Sequence, residues 1–173
     1  HTRRVRIFTP TTEVPFAGHP NIGTAFVLAE TGELGGEDVP ESICFEEKAG
    51  LVPIRILQNP NSPRQFELKA PETLTARPFK AVSTIADALS LHLDQIIEEH
   101  HPPSSASVGL PFLIVEVQDT SALADIQVNL ESFSALLTQS SPPYIFVYTQ
   151  NTGQEAIQAR MFAPLDGITE DPA

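Results

Sequence analysis

The chain has 173 residues, 41% of them apolar and 7% aromatic, no Trp, and a formal net charge of −12. That length can bury a real core as one large domain or two small ones, and the lack of a long charge-free apolar run excludes a membrane span. The acidic excess excludes nucleic acid and anionic membrane as partners, since either needs a basic patch to displace counterions, and a single cysteine excludes a disulfide framework.

Residues 3–9, Arg-Arg-Val-Arg-Ile-Phe-Thr, read as one strand that Pro10 ends; Arg3, Arg4 and Arg6 read as its solvated face, with a small positive binding spot as the alternative. Pro15 and Gly18 keep the chain in loop until a helix begins at Pro20 and runs to about Glu30, with Thr31-Gly32 as its stop. Ile22, Ala25, Phe26 and Ala29 fall at helical spacing, and Val27 and Leu28 make the helix apolar nearly all round, so it is expected to be enclosed by other elements. Short β runs at 43–46, 51–57 and 66–69, separated by Ala-Gly and Asn-Pro-Asn-Ser-Pro turns, predict a meander. Residues 84–100 read as an amphipathic helix with Ile85, Leu89, Leu93 and Ile96 on one face, closed by Pro102-Pro103. A strand at 113–117 follows, then a short helix through Leu137 capped by Asn129, then strands at 144–149 and 156–162.

An internal repeat stands out. Arg6-Ile7-Phe8-Thr9-Pro10 recurs as Arg160-Met161-Phe162-Ala163-Pro164, and each copy is followed by a polar residue directly before a proline, His19-Pro20 and Asp171-Pro172. Two strand–loop–helix units of this kind imply two similar half-structures facing each other across a cleft. In both, proline suits the first helical position, which makes His19 and Asp171 the expected N-caps. A helix N-terminus offers unpaired N–H groups and the positive end of the macrodipole, so residues 18–22, Gly18, His19, Pro20, Asn21 and Ile22, can cradle a carboxylate. Against that, both residues can act as caps alone; Asp is a common cap and His is not.

Phe16-Ala17-Gly18-His19-Pro20, with the repeat, Gly109-Leu110-Pro111-Phe112-Leu113 and Glu170-Asp171-Pro172-Ala173, resembles the signature of the phenazine biosynthesis PhzF-like family. The resemblance implies an α+β, diaminopimelate epimerase-like fold: two pseudo-symmetric halves, each with a β-barrel-like sheet around a central helix and the active site between them. It places most of the first half in residues 1–103 and the start of the second in 104–173. It implies an isomerase that shifts a proton on a small acidic substrate without metal or organic cofactor, and a homodimer; the single cysteine makes a reducing cytoplasm the expected compartment. His19 and Asp171 would be its catalytic residues, and Gly18, Pro20, Asn21 and Ile22 would bind the substrate. The family's acid/base glutamate lies upstream of the histidine motif and has no match here; Glu13, in the loop after the strand, is not assigned that role. The chain opens inside a strand pattern without methionine and stops at what reads as a helix start, so it is expected to be a piece of a longer polypeptide. The alternative class is a non-catalytic ligand-binding or interaction protein on the same scaffold.

Other candidates carry less. Cys44, alone in a β run, reads as a small core residue and not as half of a thiol pair. His100 and His101 read as a solvated helix terminus, His92 likewise, and the neighbours Glu46-Glu47 and Glu98-Glu99 point different ways.

Overall fold

The computed structural model describes residues 2–36, 38–59, 62–139, 141–150 and 157–171. They form a mixed α+β protein with two compact units, one drawn from His1–Phe8, Thr12–Thr73 and Val108–Leu110, the other from Thr9–Thr11, Leu74–Ser107 and Pro111–Ala173.

In the first unit the expected single strand is two short ones, β1 (Arg3–Arg4) and β2 (Ile7–Phe8). β1 lies parallel to β4 (Ser42–Glu47), whereas β2 turns into a hairpin with β3 (Glu13–Val14). The meander is present as β4, β5 (Gly50–Asn59) and β6 (Ser62–Leu68), giving a four-stranded sheet ordered β1-β4-β5-β6. Alternation sets its inner face: Ile43, Phe45, Val52, Ile54 and Ile56 are buried and pack with Ala25 and Ala29 of helix α1 (Gly18–Glu30). Cys44 sits on the opposite face, half-buried and outside that cluster, because the period of two sends it away from the core. α1 is also not enclosed all round; Phe26 and Val27 are exposed, at 46% and 54%.

The second unit is built on a seven-stranded sheet. Along it run β13 (Ile168–Asp171), β12 (Gln158–Ala163), β11 (Ile145–Thr149), β10 (Pro111–Val117), β9 (Ser104–Ser107) and β7 (Thr75–Pro78), with β8 (Ile96–Ile97) paired to β10 off that path. β10 and β11 are parallel, Leu113 opposite Ile145 and Val115 opposite Val147, and these four residues are fully buried beneath the helices. The helix expected over 84–100 is only α2 (Val82–Leu89). Ser90 takes a left-handed conformation, and the Leu91 N–H reaches back to the Ala86 carbonyl at 2.9 Å, which ends the helix. The β-branched pair Ile96-Ile97 then joins the sheet. Helix α3 (Thr120–Asp125), not signalled by periodicity, is capped by the Asp119 carboxylate, which accepts from the Ala122 N–H. α4 (Leu130–Thr138) starts at Asn129 as expected, whose side chain accepts from the Glu131 and Ser132 N–H groups. α2 and α4 bury Ile85, Leu89, Phe133 and Leu136 in one core with the sheet.

Gly109 of the Gly-Leu-Pro-Phe motif has a structural explanation. Its φ is +139°, and a Cβ there would lie 2.9 Å from Pro71 Cγ and 3.2 Å from Phe16 Cδ1. Phe16 is buried two residues before Gly18, so the glycine protects the approach to the candidate site. Gly109→Ala is expected to cost about 1–3 kcal/mol in urea unfolding, from the left-handed backbone and the ring contact together. An unchanged midpoint would show that Pro71 and Phe16 yield freely.

Candidate active site

α1 begins at Gly18, two residues earlier than the sequence suggested. Ala17 is its N-cap, in extended conformation, so His19 and Pro20 lie inside the first turn and His19 is not the cap. Proline is still harmless there, because first-turn N–H groups have no intrahelical acceptor. With Ala17 capping, the helical ladder takes up the N–H groups of Asn21 and Ile22, and Pro20 has none. The amides left for a ligand are those of Gly18 and His19. His19 and Pro20 are exposed, Gly18 and Ile22 half-buried. Asn21 is wholly buried, its Nδ2 donating to the Ala17 carbonyl at 2.9 Å. Its role is to lock the turn, and its side chain does not face solvent.

Below that turn lies an unusual carboxyl. Glu47, the last residue of β4, falls on the core face by alternation, is 9% exposed, and neither oxygen has a hydrogen-bond partner among the described residues. The Asn21 side chain favours its ionised form without closing a hydrogen bond, and burial outweighs that, pushing the Glu47 carboxyl above the usual carboxylate range. Asn21 Oδ1 has no hydrogen-bond partner among the described residues either. Glu46 points the other way, as expected, and both line a cleft of about 210 Å³ with Arg4, Val5, Arg6, Glu13 and Lys48.

The sequence repeat is also a structural repeat. In the β2–β3 hairpin the Arg6 guanidinium meets Glu13 edge-on, Nε to Oε1 at 3.0 Å and Nη2 to Oε2 at 2.9 Å, with its Cζ 4.7 Å from the Phe8 ring centroid. In the β12–β13 hairpin Arg160 meets Glu170 the same way, at 2.8 and 2.7 Å, with Cζ 5.0 Å from the Phe162 ring. Hydrogen bonds from Arg6, then Lys48, hold the Glu13 carboxyl down at about 2, and the bond from Arg160 lowers Glu170. Asp171 is half-buried, ends β13 and pairs in register with Met161; the helix expected from Pro172 lies outside the described residues. His19 and residues 18–22 thus belong to the first unit and Asp171 to the second.

A further cluster was missed by the sequence reading. His100 is not merely solvated: its Nδ1 lies 2.9 and 3.0 Å from the two oxygens of Glu116, which is 1% exposed on β10. Gln150 Nε2 donates to the same carboxylate at 3.3 Å. His101 Nδ1 donates to the Pro102 carbonyl, so its Nε2, 2.7 Å from the Tyr148 hydroxyl, accepts from it when the ring is neutral. A Glu in a strand otherwise made of Pro, Phe, Leu, Ile and Val was the available signal.

Residues 1–173 match the family described as phenazine biosynthesis-like protein. The chain belongs to this family. A protein of Mesorhizobium japonicum named an uncharacterized isomerase is 32% identical over 180 residues, covering 100% of this chain and 58% of its own length. One of the same name from Deinococcus radiodurans is 32% identical over 174 residues, covering 98% and 54%. This PhzF-like chain is similar in structure to the Bacillus anthracis phenazine biosynthesis protein of the PhzF family, with TM-score 0.82, 26% identity and coverage of 98% of this chain and 56% of that one. A predicted epimerase of Pseudomonas aeruginosa superposes with TM-score 0.74 at 28% identity, covering 98% of this chain and 56% of that one. The chain therefore spans a little over half the length of the relatives it matches.

Glu47 gives a pH-dependent prediction. Its folded value is raised, so its contribution favours folding below the ordinary carboxylate range and is lost as pH rises toward that raised value. Glu47→Gln removes the ionisation and supplies donors for Asn21 Oδ1. The variant should be more stable than the parent at pH 7–8 by on the order of 1 kcal/mol, with the gain vanishing near pH 4, in paired thermal melts. Equal melting of the two proteins at both pH values would show that the carboxyl finds partners in solution.

Proposed function

We propose that this PhzF-like chain belongs to an isomerase that moves a proton on a small carboxylate substrate, without a metal or organic cofactor. The observation that carries the reading is the Gly18-His19-Pro20 turn, exposed at the start of a helix in a chain that matches the family from end to end. The relatives named isomerase and epimerase support the reaction class. In this reading the Gly18 and His19 amides and the positive end of α1 hold the substrate carboxylate. The imidazole of His19 and the carboxylate of Asp171 bind and orient the substrate and assist proton movement at carbon. Asn21 keeps the turn rigid, and Pro20 and Ile22 shape the approach. The reading extends to the epimerase-like arrangement of two related halves, to a cytoplasmic setting and to a homodimer.

Deuterium uptake tests the reaction across several classes of carboxylate at once. A panel of amino acids and cyclic carboxylic acids is incubated with the protein in D2O, and exchange at carbon is followed by NMR. Exchange into one class of compound is expected, and Asp171→Asn and His19→Asn should each slow it on the order of 10²-fold while the fold is kept. Carboxylate binding with no exchange in any compound would favour a non-catalytic binding protein on this scaffold, and variants that exchange at the parental rate would remove both residues from the chemistry.

A further inference from the structure

We propose that the two guanidinium–carboxylate forks, Arg6–Glu13 and Arg160–Glu170, are matched positioning devices, one for the turn that bears His19 and one for the strand end that bears Asp171. This rests on the functional reading above for what the two residues do, but not for how they are held.

A lone surface ion pair carries little energy, and each fork taken alone would pass for one. Three features set them apart. Each has both N–H···O bonds of a planar fork, which fixes rotation as well as distance. Each guanidinium lies over the phenylalanine two residues further along its own strand, so the fork is held from a second side. And each spans a hairpin, arginine on or just before the outgoing strand and glutamate on the return strand.

The return strand leads directly to the candidate residue in both cases. After Glu13 the path to Gly18 has no slack: Val14 is buried, the Pro15 carbonyl accepts from the Ala49 N–H at 3.1 Å, and Phe16 is buried against Gly109. Lys48 Nζ, 3.0 Å from Glu13 Oε2, ties the same carboxylate to the end of the neighbouring sheet. In the second unit Glu170 is bonded directly to Asp171, and Arg160 adds a bond from Nη1 to the Leu123 carbonyl at 2.8 Å, which anchors the hairpin to the end of α3. A fork that loosens therefore moves the candidate residue beside it, and not the other one.

That selectivity is the test. Glu13→Gln and Glu170→Gln each remove one fork, and Glu170→Gln leaves the Arg160 bonds to α3 in place. In NMR spectra at pH 7, Glu170→Gln should shift the side-chain carboxyl and amide signals of Asp171 and leave those of His19 unchanged. Glu13→Gln should do the converse. The double variant Arg160→Gln/Glu170→Gln also removes the Arg160 bonds to α3 and should move Asp171 further than Glu170→Gln alone, still without moving His19. Titration with succinate as the carboxylate probe should show each single variant binding about 10-fold more weakly, with the melting temperature nearly unchanged. Shifts spread over both candidate residues, or none at either, would overturn the positioning roles. If the parent protein does not bind succinate, that counts against the functional reading, while the pattern of shifts still decides the forks.

Discussion

A guanidinium that meets a carboxylate through two parallel N–H···O bonds fixes both a distance and a plane, and in this chain that interaction occurs twice in equivalent places. Elsewhere on an acidic surface such pairs are exchangeable with water and salt. Here each closes a sparsely paired hairpin, with two residues each in β2 and β3 and a bulged pairing between β12 and β13. The depressed Glu13 and Glu170 carboxyls are the electrostatic record of the same contact. The helix start with His19 and the strand end with Asp171 both take their place from it.

Glu47 and Glu116, both buried, show how differently a carboxyl can be accommodated. Glu116 carries hydrogen bonds from His100 and Gln150 and sits in the sheet of the second unit as part of a polar network. Glu47 has no such partners among the described residues, and burial shifts it toward the neutral form. Strand alternation separates them: Glu47 is in phase with the core residues Ile43 and Phe45, whereas Glu116 is out of phase with Leu113, Val115 and Val117 and meets His100 and Gln150. An uncompensated carboxyl next to the residue that locks the α1 turn makes that region sensitive to pH, whereas the satisfied one adds rigidity.

Membership of the phenazine biosynthesis-like family and the position of the Gly-His-Pro turn support one another, but they are different kinds of support. The family match spans residues 1–173 and concerns descent. The turn concerns chemistry: an exposed imidazole beside free amides at the positive end of a 13-residue helix. The structure also trims the site, since Asn21 faces inward and the helical ladder uses the amides beyond Pro20.

What the sequence determined by itself was local and periodic. Short β runs between turn residues gave the meander of β4, β5 and β6, Asn129 marked the start of α4, and the repeated Arg-x-Phe-x-Pro motif marked two related units, because each of these is written in neighbouring residues; the units were expected as strand, loop and helix, and the structure shows a hairpin in each. The helix over 84–100 failed because apolar spacing continues past Ser90 although the backbone turns left-handed there, and Ile96-Ile97 prefer a strand partner that lies far along the chain. The same holds for side-chain partners. Nothing in the local spacing tells that Arg6 finds Glu13, that Glu47 is buried beside Asn21, or that His100 reaches Glu116. Those pairings depend on which strands come to lie side by side, and only tertiary packing decides that.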